Sequence, residues 1–198
     1  MKPRTVLSIS LMAGGLLLGG VAAAATPSAS MLANTCAGCH GTEGVSNGPA
    51  TPTLAGISEE YFKEVMEEYK SGERRSTIMG RIAKGYSDKE IELLAGYFAK
   101  KKFVAAKGQK FDPKLAKKGA KLHDKYCEKC HADGGTSAED DSGILAGQWK
   151  PYLQYTISDF LAGKSHMPKK MKKKLKKLHA KKGDAGIQAL LEFYASKK

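Results

Sequence analysis

At 198 residues the chain has room for one domain or two, and 33 Lys and Arg against 20 Asp and Glu give it a formal net charge of +13. That balance suggests a nucleic acid, but an export segment at the N-terminus argues against one. No stretch after that segment is apolar enough to cross a bilayer, so a transmembrane segment is not expected in the mature chain.

The first 25 residues read as a signal peptide. Lys2 and Arg4 form a charged start, residues 6–21 are apolar, and residues 22–25 offer an A-x-A cleavage site, which places the cut between Ala25 and Thr26. The apolar run is short for a spanning helix and is broken by Gly14, Gly15, Gly19 and Gly20, which weighs against a retained anchor. About 173 residues remain, with a formal charge of +11, and they are expected in the periplasm.

Cys36-Ala37-Gly38-Cys39-His40 and Cys127-Glu128-Lys129-Cys130-His131 use all four cysteines. Each has the C-x-x-C-H spacing that attaches a c-type haem. Residues three apart share one face of a helical turn, so both thiols can reach the vinyl groups along one side of a porphyrin. The histidine that follows can then ligate its iron. A zinc ribbon brings its pairs closer than the 87 residues between Cys39 and Cys127. A redox dithiol wants a βαβ setting, and no strand pattern flanks either run. A structural disulfide does not account for the histidine beside each pair.

A shift of 91 residues lays Cys36 on Cys127, Cys39 on Cys130 and His40 on His131. The same shift lays Leu54-Ala55-Gly56 on Leu145-Ala146-Gly147, Tyr61 on Tyr152, Tyr69 on Phe160 and Gly72 on Gly163. Two copies of one module follow, over residues 26–105 and 106–198. Each is small for a self-sufficient core, and a covalently held apolar ring supplies missing interior.

Within each module the period is helical. In chain order, Ser58-Glu59-Glu60 starts a helix with Phe62, Val65, Met66 and Tyr69 on one side and Gly72 at its end. Ser87 and Glu90 form a capping box before Ile91, Leu94, Ala95 and Phe98. Residues 103–111 read as a linker, after which Asp112-Pro113 caps a helix through Leu115, Leu122 and Tyr126. Leu153, Ile157 and Phe160 mark the next helix, Met171, Leu175 and Leu178 another, and Ile187, Leu190, Leu191 and Tyr194 the last. Residues 41–56 and 132–147 are Gly/Ser/Pro-rich loops. The predicted fold class is all-α.

A second axial ligand decides between electron transfer and chemistry at iron, because histidine plus methionine closes both faces. Met79, seven residues after Gly72, is the candidate in the first module, whereas Met66 lies mid-stripe and reads as packing. In the second, Met171 lies eight residues after Gly163 and is preferred to Met167, which needs three deletions in the repeat. A ligating imidazole also needs an acceptor at its other nitrogen. The Pro52 carbonyl is placed to serve His40, and Gly143 holds the equivalent position for His131. Trp149, Tyr61, Tyr152 and Tyr155 read as ring or core packing. His123, His166 and His179 read as solvated surface, with bis-histidine ligation by His166 or His179 as the alternative. Nine lysines between Lys169 and Lys182 form a cationic face suited to steering an acidic redox partner.

Thr35-Cys-Ala-Gly-Cys-His-Gly-Thr42, Ser76-Thr-Ile-Met-Gly-Arg-Ile-Ala-Lys-Gly-Tyr86 and the run from Gly119 to His131 resemble the dihaem cytochrome subunit of flavocytochrome c sulfide dehydrogenase. Ile144–Gln148, Pro151–Tyr155, Gly183–Gly186 and Phe193–Ser196 extend the resemblance, which departs from the family near Glu139 and over residues 164–182. It implies two tandem class I cytochrome c-like haem domains with two covalent haem c groups. It also implies a heterodimer with an FAD-containing flavoprotein, from which the chain takes electrons during sulfide oxidation and passes them to a soluble periplasmic acceptor. This chain has no dinucleotide-binding glycine motif for FAD and no thiol left over, so no catalytic residue is expected in it. A free-standing shuttle to a terminal oxidase shares the haem motifs. A dihaem enzyme such as a peroxidase would need an open axial position.

Overall fold

The structure, a computed structural model, describes residues 27–139 and 141–197; the expected signal peptide, residues 1–25, lies outside them. Among the described residues there is no strand and the chain is helical: α1 (Ala29–His40), α2 (Glu59–Ser71), α3 (Met79–Ile82), α4 (Asp88–Ala99), α5 (Pro113–Tyr126), α6 (Ala132–Gly135), α7 (Lys150–Leu161) and α8 (Lys169–Ala195). The expected boundaries follow from local chemistry. Ser58 accepts from Tyr61 N at 3.1 Å at the start of α2, and Gly72 ends it in the left-handed region at φ 85°. Ser87 and Glu90 close a reciprocal capping box on α4. Asp112 accepts from Lys114 N and Leu115 N ahead of Pro113, satisfying donors that a helix start otherwise leaves bare.

Two apolar clusters form, one for each module. The first gathers Leu32 and Ala33 of α1, Phe62 and Met66 of α2 and Ile91, Leu94, Ala95 and Phe98 of α4. The second gathers Tyr126 of α5, Leu153 of α7 and Leu178, Leu190, Leu191 and Tyr194 of α8. α5 lies so close to α8 that a Cβ on Gly119 would meet Ala189 O at 1.9 Å, so only glycine fits there. The two helices expected near Met171 and Ile187 form one element bent at Gly183, whose φ of 58° and ψ of −158° are accessible to glycine and strained for other residues.

The 91-residue repeat recurs in hydrogen bonds. Gly44 O accepts from Leu54 N and Ala55 N, and Gly135 O accepts from Leu145 N and Ala146 N. Gly56 N donates to Phe98 O, and Gly147 N to Tyr194 O, both at 2.9 Å, with the donors 91 residues apart and the acceptors 96. The all-α fold of two tandem modules is therefore present both in the backbone and in the sequence.

The modules are joined by a polar seam with twofold character. Arg75 of the first module pairs with Asp159 of the second at 3.0 Å, and His166 of the second bonds Glu68 of the first at 2.8 Å. The 91-residue shift carries Arg75 to His166 and Glu68 to Asp159, so each contact is the other's image. Arg74 sits inside the seam, paired with Glu68 at 2.8 Å and placed 5.7 Å from the Tyr69 ring and 5.6 Å from the Phe160 ring. Burial alone would lower its pKa, but the hydroxyls of Tyr61, Tyr152 and Tyr69 and the Glu68 carboxylate outweigh burial and keep it charged.

Candidate haem sites

In the first module α1 carries Cys36 half-buried and Cys39 exposed, and ends on His40. The imidazole is 7% exposed, and its Nδ1 lies 2.9 Å from Pro52 O. A carbonyl can only accept, so Nδ1 carries the proton and Nε2 keeps the lone pair that a metal needs. Burial lowers the His40 pKa against the opposing pull of the Pro52 carbonyl, which favours that neutral form. Met79 opens α3, half-buried against the first cluster. The Tyr86 hydroxyl reaches Thr35 Oγ1 on α1 and ties the methionine-bearing segment to the cysteine helix.

The second module repeats this with one difference. α5 ends at Tyr126, so Cys127 through His131 form a hydrogen-bonded turn instead of a continuing helix. Cys130 N and His131 N both donate to Cys127 O, which keeps the thiols on one turn. Glu128, inside the run, bonds His123 Nε2 at 2.7 Å and Gly134 N at 3.1 Å, and so binds the turn to its surroundings. His131 Nδ1 meets Gly143 O at 3.1 Å, the equivalent of the Pro52 contact. Met167 is 7% exposed, just before α8, and Met171 is half-buried in its first turn.

Both donor sets fit a covalently held haem: two thiols on one turn beside an imidazole fixed through Nδ1, with a methionine on a packed segment. Burial raises the Cys36 and Cys127 thiol pKa values, the opposite of what a redox dithiol requires.

Several residues carry more than the sequence showed. His123 is not on the surface: it is 1% exposed, held between Tyr194 Oη at 2.9 Å and Glu128. Its neighbours in sequence are polar, but the residues that bury it lie on α8 and in the haem turn. Tyr155 is 62% exposed and so is not part of the protein core. Gln148 is buried and exchanges two hydrogen bonds with Thr53, accepting from its N–H at 3.0 Å and donating to its carbonyl at 2.9 Å. Thr53 follows Pro52, so the second module fixes the loop that orients His40. Trp149 Nε1 donates to Ser46 O in the same loop. A single glutamine gives no such signal in sequence.

The family description "Cytochrome c" matches residues 25–100. The chain is 48% identical over 68 residues to the cytochrome subunit of sulfide dehydrogenase of Chlorobaculum tepidum, a match covering 34% of this chain and 61% of that one. It is 31% identical over 140 residues to cytochrome c4 of Pseudomonas aeruginosa, covering 66% of this chain and 68% of the relative. The solved structure of reduced recombinant cytochrome c4 from Pseudomonas stutzeri superposes with a TM-score of 0.73 at 26% identity, over 86% of this chain and 97% of that chain. Tandem helical modules, each with a C-x-x-C-H run and an anchored imidazole, define a c-type electron-transfer protein. The chain belongs to the cytochrome c family.

Proposed function

We propose that the chain is an exported dihaem c-type cytochrome, the electron-transfer subunit of a flavocytochrome c sulfide dehydrogenase. The observation that carries the dihaem reading is the repetition of one donor set: Cys36, Cys39 and His40 with Pro52 O, and Cys127, Cys130 and His131 with Gly143 O. Bound haem supplies a one-electron iron couple. The cysteines would tether the haems, the Nδ1 contacts aim His40 and His131 as iron ligands, and Met79 would be the further ligand in the first module. Met171, with Met167 as the alternate, would serve in the second. The module boundaries remain those of the repeat, 26–105 and 106–198, with residues 1–25 cleaved on export to the periplasm.

Sulfide oxidation rests on the 48% identity to a sulfide dehydrogenase cytochrome subunit. The partner is then an FAD-containing flavoprotein that delivers electrons to this chain, which passes them to a soluble acceptor. Charge gives the chain a direction. Residues 26–105 hold ten basic and ten acidic side chains, whereas 106–198 hold 21 basic and ten acidic. Nine exposed lysines lie on α8 between Lys169 and Lys182, and they suit the second module to an acidic acceptor. Pull-down from native extract followed by sulfide addition is the test. Reduction only with a co-purified flavoprotein supports the proposal; equal reduction of the purified chain, or no flavoprotein recovered, contradicts it. The similarity to cytochrome c4 across both modules favours the free-standing shuttle as the second reading, and that last outcome would select it.

A further inference from the structure

The chain contains 29 lysines and only four arginines, and the three arginines among the described residues, Arg74, Arg75 and Arg81, all line one cleft of about 390 Å³. Ser76, Thr77 and Lys84 help to complete its wall. Elsewhere among the described residues lysine, not arginine, is the surface cation. Arginine differs by offering a rigid planar fork of N–H donors that matches the oxygens of an oxyanion.

The charges in the cleft are not cancelled from within. Arg74 forms the buried floor and is neutralised by Glu68, whose second oxygen is taken by His166. Arg75 shares its charge with Asp159 through Nη1 alone, and its side chain is 55% exposed. Arg81 gives one N–H to Thr77 O at 3.0 Å, which holds the guanidinium against the wall. Neither Arg81 nor Lys84 has an ion pair among the described residues. Ser76 Oγ accepts from Gly80 N at 2.7 Å, which leaves its own hydrogen to donate. Arg75, Arg81, Lys84 and the Ser76 hydroxyl therefore border one cleft with donor capacity to spare.

We propose that this cleft binds a small doubly charged tetrahedral oxyanion, held by Arg75, Arg81 and Lys84 with the hydroxyls of Ser76 and Thr77. No cysteine or ligating imidazole lines the cleft, and the candidate ligand Met79 lies in the same segment, between Thr77 and Gly80. The cleft touches the module seam through Arg75, so a bound anion competes with Asp159 for that guanidinium.

Arginine scarcity supplies the test. In ¹⁵N-labelled mature holo-protein the arginine side-chain Nε–H signals come from these three residues alone. Titration with sodium sulfate, and separately with inorganic phosphate, should shift the Arg75 and Arg81 signals saturably, with sodium chloride at matched ionic strength as control. The double variant Arg81→Gln/Lys84→Gln, both exposed positions whose holo spectrum checks folding, should weaken binding by about tenfold or more, since it removes charge-assisted bonds to the anion. Shifts that never saturate, or that chloride reproduces, would reduce the cleft to ionic screening and overturn the proposal. Unchanged affinity in the double variant would overturn it too. Saturation by acetate or a Glu-rich peptide but not by sulfate would reassign the cleft to a partner's carboxylate, again against the proposal.

Discussion

The buried pair at the module seam gives the most demanding prediction. Arg74 and Glu68 each expose 8% of their side chains and meet at 2.8 Å. Arg74→Met removes the cation but leaves Glu68 buried with His166 as its remaining partner. Breaking a buried pair from one side costs about 3–5 kcal/mol. Loss of the guanidinium over Tyr69 and Phe160 adds roughly 0.5–1 kcal/mol for each ring. Glu68→Gln keeps the volume and strands the guanidinium among tyrosine hydroxyls, at a similar cost. Arg74→Met/Glu68→Gln removes both charges, so no ion is left uncompensated and most of that loss returns. The coupling between the two sites should therefore be on the order of 2–4 kcal/mol. Urea unfolding of the four holo-proteins, followed by far-ultraviolet circular dichroism and by haem absorbance, measures it. A double variant that loses the sum of the single losses, or an Arg74→Met loss below about 1 kcal/mol, would show that the seam does not depend on this pair.

Gln148→Leu strands the buried N–H and carbonyl of Thr53 and should cost about 2–4 kcal/mol; because Thr53 adjoins Pro52, calorimetry should show the loss and the haem spectrum of the first module should change with it. Gly119→Ala forces a methyl group into the Ala189 backbone and should destabilise the second module by about 3 kcal/mol or more, read as a lowered Tm for the α5–α8 transition. Glu192 is 6% exposed in its side chain and bonded to Asp112 N and Lys150. Burial would raise its pKa, but these contacts hold it below the usual carboxylate range. Its stabilisation is therefore present above the unfolded value near pH ~4.3 and is lost as pH falls through the folded value. Glu192→Gln should cost about 1–3 kcal/mol at neutral pH, and the gap from the parent should close in acid; a gap that persists at low pH would contradict the sign.

Most of the donor set was legible because it is local or repeated. The C-x-x-C-H runs need only a turn, and the 91-residue shift that aligns them also pairs Pro52 with Gly143, whose carbonyls meet His40 and His131. Caps at Ser58, Ser87 and Asp112 depend on residues within a few positions, and each formed where expected. What the sequence concealed depends on distant partners. His123 looks solvated among lysines until α8 brings Tyr194 over it. Gln148 reveals its purpose only when folded against Thr53, 95 residues away. Nothing in the sequence marks Arg74 and Glu68 as a buried pair; His166 and Phe160 of the second module help to cover them. The turn at Cys127 departs from a helix because Glu128 bends toward His123 and Gly134, a competition that spacing alone does not reveal.

Counting the haems tests the central claim most directly. Intact mass spectrometry of the exported protein under denaturing conditions, paired with a haem chromogen assay per polypeptide, should give the chain plus two covalent haems. Cys127→Ser/Cys130→Ser should retain only one. A native polypeptide that carries one haem or none would contradict the account.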